Sequence, residues 1–225
     1  MIKNISNLGD AALYCDFGNE VNKSINSQVI KYFKTIKEKK FEGINNLTPS
    51  YNKLIISYDL KKTNFKEVKN YVENINAQDS KDINSKKLEI PVCCHENFSM
   101  DIKRLEEILK LSREKILENF LNKKYFCYMT GFIAGMPFLG DIKEKIRLDR
   151  LETPRVKVPK GSVGITEQFC NIYTFESPGG WNIIGNSPKK VFTKDPTKLT
   201  LIDPGDEVEF FEISKKEYSK FNEQK

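Results

Sequence analysis

The chain has 225 residues, 39% hydrophobic and 11% aromatic, which suffices for a core and excludes a disordered chain. The length fits one large domain or two small ones, and no apolar run reaches the ~20 residues of a membrane-spanning helix. The net charge of +6 comes from 37 basic and 31 acidic residues, with the lysines spread among acids as on a solvated surface rather than clustered as in a nucleic-acid footprint.

Residues 11–17 (AALYCDF) read as a strand ending at Gly18. Val21, Ile25, Val29, Phe33 and Ile36 follow at helical spacing and predict an amphipathic helix. Residues 41–47 and 53–58 read as two strands joined by a turn around Pro49. Phe65, Val68, Val72 and Ile75 mark a second helix, residues 78–87 a polar loop, and LEIPV (88–92) a further strand. The order β-α-β-β-α-β is the split βαβ, ferredoxin-like signature. It defines an N-terminal α+β domain over residues 1–92.

Met100, Ile102, Leu105, Ile108 and Leu109 predict a third helix. Ser112 caps a fourth, carrying Ile116, Leu117, Phe120 and Leu121. From Tyr125 onward Gly and Pro become frequent and turn signals recur, the texture of a β-barrel or sandwich. The second domain is therefore 93–225, a barrel with two leading helices. The charged tail from Lys215 is expected to be exposed or loosely helical.

Five Cys are present (Cys15, Cys93, Cys94, Cys127, Cys170), an odd number with no Cys-x-x-Cys pair. The start, MIKNISNLGD, lacks the apolar stretch of a signal peptide. Reduced thiols in a cytoplasmic protein are the expectation. Cys93, Cys94 and His95, the lone His, are consecutive, and consecutive strand residues point to opposite faces, so no metal site is inferred. A Ser-His-Asp or Cys-His mechanism would have to draw its base from that one His.

Chemistry concentrates in the Gly- and Pro-rich half. In GFIAGMPFLG (131–140), Gly131, Gly135 and Gly140 permit backbone close to a ligand, with Phe132, Met136 and Phe138 as apolar walls. A structural turn feeding the barrel is the alternative reading. No Gly-x4-Gly-Lys-Ser/Thr loop occurs anywhere. In RLDRLETPRVKVPKGSVGI (147–165), three of the chain's five Arg fall within nine residues. Arg captures carboxylate or phosphate with a planar fork, so Arg150 and Arg155 are the candidate catalytic residues, with surface ion pairing as the alternative. In SPGGWNIIGNSP (177–188) the only Trp, Trp181, follows a Gly-Gly turn and either walls a pocket or plugs the barrel end. LIDPGDEVEFFEI (201–213) is a structural turn and closing strand.

These four motifs, in this order, resemble the family that holds the B component of 5-oxoprolinase, allophanate hydrolase subunit 1 and the sporulation-kinase inhibitor KipI. GDAALYCDFG and EIPVCC also fit its pattern, so the resemblance spans about residues 8–213. It implies an N-terminal α+β domain and a cyclophilin-like β-barrel. It also implies a partner, the carboxyltransferase-like C component, and a third protein, the A component, in a complex that opens 5-oxoproline to glutamate with ATP. The departures are Ala134, Met136 and Phe138 where Pro, Phe and Tyr are usual, Leu151 and Asn186 where Arg is usual, and Asn119 or Phe120 where a His is usual.

The function implied is therefore that of the B component of an ATP-dependent 5-oxoprolinase, an amide hydrolase without a nucleophile of its own. ATP is used by the complex, and no metal, nucleic acid or membrane is expected. Allophanate hydrolysis and inhibition of a sensor histidine kinase are the alternatives. Prolyl isomerisation does not follow from a cyclophilin-like fold. Arg150 and Arg155 would hold a carboxylate or phosphorylated group. The substrate-binding set is Gly131, Phe132, Gly135, Met136, Phe138, Gly140, Ser162, Gln168, Tyr173, Ser177, Pro178, Gly179, Gly180 and Trp181.

Overall fold

The computed structural model describes residues 2–76, 85–195 and 199–223. They fall into two compact units, Met1–Asn84 and Ser85–Lys225. Among the described residues no helix is long and apolar enough to cross a membrane.

The first unit holds β1 (Asn4–Asn7), β2 (Ala12–Asp16), α1 (Lys23–Lys39), β3 (Ile44–Pro49), β4 (Lys53–Tyr58) and α2 (Phe65–Asn74). Each helix starts where an Asn side chain accepts a free first-turn amide: Asn22 from Ile25 (2.9 Å) and Asn64 from Glu67 (3.1 Å). α1 stops at Lys40, whose backbone is left-handed and whose amide donates to Ile36 O. β2 and β4 bury every second residue, and Leu13, Cys15, Leu54 and Ile56 pack with Val29, Ile36, Val68 and Val72. One sheet face therefore carries both helices.

The sheet order is β1-β2-β4-β3, antiparallel throughout. The split βαβ arrangement is present, with one correction. The edge beside the first strand of the unit βαββα is filled by the N-terminal strand β1, which carries no strand signal in the sequence, and not by residues 88–92. Those residues form β5 (Lys87–Val92), which pairs in parallel with β13 (Glu207–Glu212) in the second unit. The division therefore falls between 84 and 85 rather than at 92. The reason lies in burial. Ile90, Pro91 and Val92 are consecutive and all buried, the pattern of a strand covered on both faces, unlike the alternating β2 and β4. Most of the predicted 78–87 loop lies outside the described residues.

The second unit continues with α3 (Ile102–Leu109), α4 (Arg113–Leu121), β6 (Lys124–Thr130), β7 (Pro137–Gly140), β8 (Arg155–Val158), β9 (Ser162–Thr166), β10 (Phe169–Ile172), β11 (Ser177–Gly179) and β12 (Asn182–Asn186), and ends with β13 and α5 (Lys215–Glu223). Seven strands form one sheet in the order β12-β9-β10-β7-β6-β13-β5. Its two ends meet: Cys93, just past β5, exchanges backbone hydrogen bonds with Asn186 at the end of β12 (2.8 and 3.0 Å). That contact closes the sheet into the cyclophilin-like barrel. A side chain at Gly185 would lie 2.8 Å from Val92 and 2.9 Å from the Cys93 carbonyl, so the approach of the two edges requires glycine there.

The barrel is filled by one cluster including Ile90, Leu105, Phe120, Tyr125, Leu139, Val163 and Ile184. Tyr125 is buried and donates its hydroxyl to Phe120 O (2.7 Å), so its polar end is satisfied. Cys94 is buried, and burial pushes its thiol up to about 12, so it stays protonated at neutral pH.

The turn before β13 is structural, as its Asp-Pro-Gly-Asp sequence predicts. Asp206 is 3% exposed. Its carboxylate accepts the amides of Lys86 (3.0 Å) and Asp203 (2.9 Å), and its carbonyl accepts Cys127 N (2.8 Å). One residue thereby ties the start of β13 to β5 through its side chain and to β6 through its backbone. Replacing Asp206 by Ala leaves two amides without acceptors and is expected to cost about 2 kcal/mol or more. Urea unfolding of the full chain checks this, with a lower midpoint at unchanged slope as the expected result.

Candidate active-site cleft

A cleft of about 390 Å³ opens on the second unit, within the size range of small-molecule sites. Three pieces of chain build it. The first is the 131–136 turn before β7, held by Gly131 N to Met136 O (3.0 Å), Ile133 N to Gly131 O (2.9 Å) and Met136 N to Ile133 O (3.1 Å). Gly135 has φ +69°, and a Cβ there would run into the Phe192 ring, so this turn requires glycine. Phe132 also has positive φ, +67°, and is 70% exposed at the rim. A bulky residue in that conformation is a strained position of the kind functional sites retain.

The second piece is a separate two-stranded ribbon, β8 with β11. Gly179 faces Arg155 across it, and Leu151 N donates to Gly180 O (2.7 Å). The third is Tyr173, at the end of β10, buried with its hydroxyl against Gly179. A Cβ on Gly179 would overlap that hydroxyl.

The lining is Phe132, Met136, Phe138, Arg150, Pro154, Tyr173, Pro178, Gly179, Gly180 and Trp181. Trp181 is thus a wall of the cleft rather than a barrel plug, and it meets Phe138 edge-on at 5.5 Å. The only charged lining residue is Arg150. Among the described residues it is the one Arg without a hydrogen-bond or ion-pair partner. Arg104 bonds Asn182, Arg113 bonds Cys94 O, Arg147 bonds Ile142 O, and Arg155 pairs with Asp101. Burial raises the Tyr173 hydroxyl above the usual phenol range, partly offset by hydrogen bonds from Asn171 and the Trp181 backbone. Tyr173 is therefore a neutral donor at physiological pH.

Nine of the sequence-predicted residues meet in this cleft, and seven do not line it. Arg155 points instead to Asp101, whose side chain is 4% exposed. The second Asp101 oxygen accepts Ile183 N (2.6 Å), and the Asp101 amide donates to Ile183 O (3.0 Å). Arg155 therefore ties the ribbon to β12 and α3. Gly131 and Gly135 shape the turn behind the rim. Gly140 packs its backbone against the Tyr128 ring, where a Cβ would meet carbon at 2.9 Å. Ser162 lies in β9 and its carbonyl accepts Tyr173 N (2.9 Å). Gln168 donates to Asp141 (2.9 Å), and the Ser177 hydroxyl donates to Pro178 O (3.2 Å). The amides of Gly131, Ile133 and Met136 are spent inside their own turn. The Gly180 amide, like those of Phe132 and Arg150, has no acceptor among the described residues and is a candidate backbone donor to the cleft.

Pro154 and Asp101 are functional neighbours that sequence reasoning misses. Asp101 stands just before α3 without capping it through its side chain, over fifty residues from its partner Arg155, and nothing local announces the pairing.

Two substitutions probe this geometry. Asp101→Asn leaves a buried guanidinium without its counter-charge, with an expected cost of about 3 kcal/mol in urea unfolding. Gly179→Ala forces the Tyr173 ring or the ribbon aside, at about 1–3 kcal/mol, and shifts the emission of Trp181, the only Trp.

The family model described as carboxyltransferase domain, subdomain C and D, matches residues 3–202. The B component of 5-oxoprolinase from Bacillus subtilis (strain 168) is 34% identical over 232 residues, covering 98% of this chain and 97% of that protein. Among solved structures, a conserved uncharacterized protein of Pyrococcus horikoshii is 37% identical, covers 96% of this chain and 100% of that one, and superposes with a TM-score of 0.58. TTHA0988 superposes with a TM-score of 0.81 at 26% identity over 91% of this chain, and the chain spans 40% of that longer one. The chain belongs to the family of the carboxyltransferase domain, subdomains C and D.

Proposed function

We propose that the chain is the B component of an ATP-dependent 5-oxoprolinase and contributes the substrate cleft to a complex completed by a carboxyltransferase-like C component and an A component. The observation that carries this reading is the unpaired Arg150 at an otherwise apolar cleft, in a chain aligned over nearly its full length with a protein named as the B component of 5-oxoprolinase.

The substrate class follows from the lining. 5-Oxoproline has a small apolar ring, a carboxylate and an amide carbonyl. Arg150 holds the carboxylate with its fork. Phe138, Trp181 and Pro154 cover the ring. The neutral Tyr173 hydroxyl and the Gly180 amide are the donors for the carbonyl oxygen, where negative charge grows as the lactam is attacked. Apolar walls strengthen those bonds by excluding water. Arg155 acts here as a positioning residue, through Asp101.

Among the described residues no carboxylate, thiol, amine or imidazole lines the cleft. The attacking group and the phosphoryl chemistry are therefore assigned to the partner proteins, and this chain by itself is expected to release no glutamate. The overall balance is 5-oxoproline, ATP and two waters to glutamate, ADP and phosphate, with ATP consumption a property of the complex.

Glutamate release from 5-oxoproline by the chain co-expressed with its A and C components tests this. The expected result is release that needs both ATP and this chain, and that falls about 10–100-fold in kcat/KM with Arg150→Ala in a complex that still assembles. Undiminished release with that variant removes Arg150 from the site. An assembled complex that releases no glutamate removes the substrate assignment.

A further inference from the structure

A second cavity, of about 150 Å³, adjoins the Tyr173 region of the same unit. Lys160, Lys189 and Lys190 contribute to its lining, and no Asp or Glu does. Among the described residues none of the three pairs with a carboxylate. Lys160 reaches only the Phe175 ring, 5.8 Å from its centroid.

The backbone points the same way. Ser187 is buried, and its hydroxyl oxygen accepts the Lys189 amide (3.2 Å), which leaves its proton to donate. The amides of Lys190 and Val191 have no acceptor among the described residues, although Val191 is 3% exposed. A buried amide without an acceptor is costly. The opposite wall is the turn at Gly161, where a Cβ would lie 2.5 Å from the Asn186 side-chain oxygen and from the Ser187 carbonyl. That turn presses on the 186–188 segment and holds its donors in place.

Three lysines, two amides without acceptors among the described residues and a hydroxyl thus belong to residues that line one cavity. A small polyoxygen anion answers every one of these donors. A carboxylate offers two oxygens, fewer than the donors present, whereas a phosphate offers up to four. The volume of about 150 Å³ has room for one such group. We propose that this cavity binds a phosphate-class oxyanion, either free inorganic phosphate or the terminal phosphoryl group of a larger ligand. The site shares Tyr173 with the apolar cleft but none of its lysines, and it does not depend on the function proposed for that cleft.

Calorimetric titration of the full chain with inorganic phosphate, ATP and glutamate, in low-chloride buffer, tests the proposal. Saturable binding of phosphate is expected, weakened about tenfold or more by the double variant Lys189→Gln/Lys190→Gln. Lys145→Gln, an exposed lysine outside the cavity, controls for net charge and is expected to change nothing. Ser187→Ala removes a donor without a charge and is expected to weaken binding several-fold. Phosphate binding tighter than ATP identifies the free ion as the ligand. ATP binding tighter than phosphate, with the same loss in the double variant, identifies a phosphoryl end, and both outcomes support the site. No saturable binding of phosphate or ATP, equal weakening by Lys145→Gln, or glutamate binding more tightly than phosphate overturns it.

Discussion

The second unit depends on the meeting of its two sheet edges at Cys93 and Asn186. An open seven-stranded sheet would leave β5 and β12 with unpaired backbone groups. Closure joins the two edges at one point, through a pair of hydrogen bonds just past β5. It is possible because Gly185 carries no side chain where Val92 and the Cys93 carbonyl press in. The Gly161 turn makes the same demand one layer away, against Asn186 and Ser187. The apolar cleft and the lysine-lined cavity both sit on walls set by this closure.

From that frame the ribbon β8–β11 projects, and Asp101 anchors it. One buried carboxylate accepts from Arg155 in the ribbon and from Ile183 in β12, while its own residue begins α3. Such a pair contributes little net stability over an apolar equivalent, but it is expensive to break from one side. Its value here is positional: Gly179, Gly180 and Trp181 form a fixed wall opposite Phe138. The two Arg residues that look equivalent in sequence thus divide their tasks. Arg155 is committed to Asp101 through one terminal nitrogen, its buried Nη1 keeping no partner among the described residues, and Arg150 has no partner among them at all.

The departures from the family pattern lie inside this geometry. Met136 and Phe138 both line the cleft and make it apolar. Ala134 keeps its structural task, its carbonyl accepting the Thr174 hydroxyl (2.7 Å). Leu151 acts through its backbone, bonding Gly180. Asn119 lies on the exposed face of α4, bonded to Lys115 O (2.7 Å). The changes therefore alter what the cleft touches more than how it is built.

Local signals in the sequence determined most of the elements. Asn and Ser caps, helical spacing of apolar residues, period-two strands and Gly-Pro turns act over a few residues, so they are legible there. The motif set likewise determined which residues gather at the cleft, because nine of its ten lining residues lie in those segments, with Tyr173 the exception. Tertiary structure alone decided pairings between distant residues. Strand 88–92 could close either sheet by its sequence; its partner β13 begins over one hundred residues later. The missing edge of the first sheet was supplied by β1, whose polar NISN sequence carries no strand period. The fate of each Arg was also a long-range matter, since a guanidinium is equally suited to a buried carboxylate or a ligand. Only the arrival of Asp101 beside Arg155, and of nothing beside Arg150, separated the two.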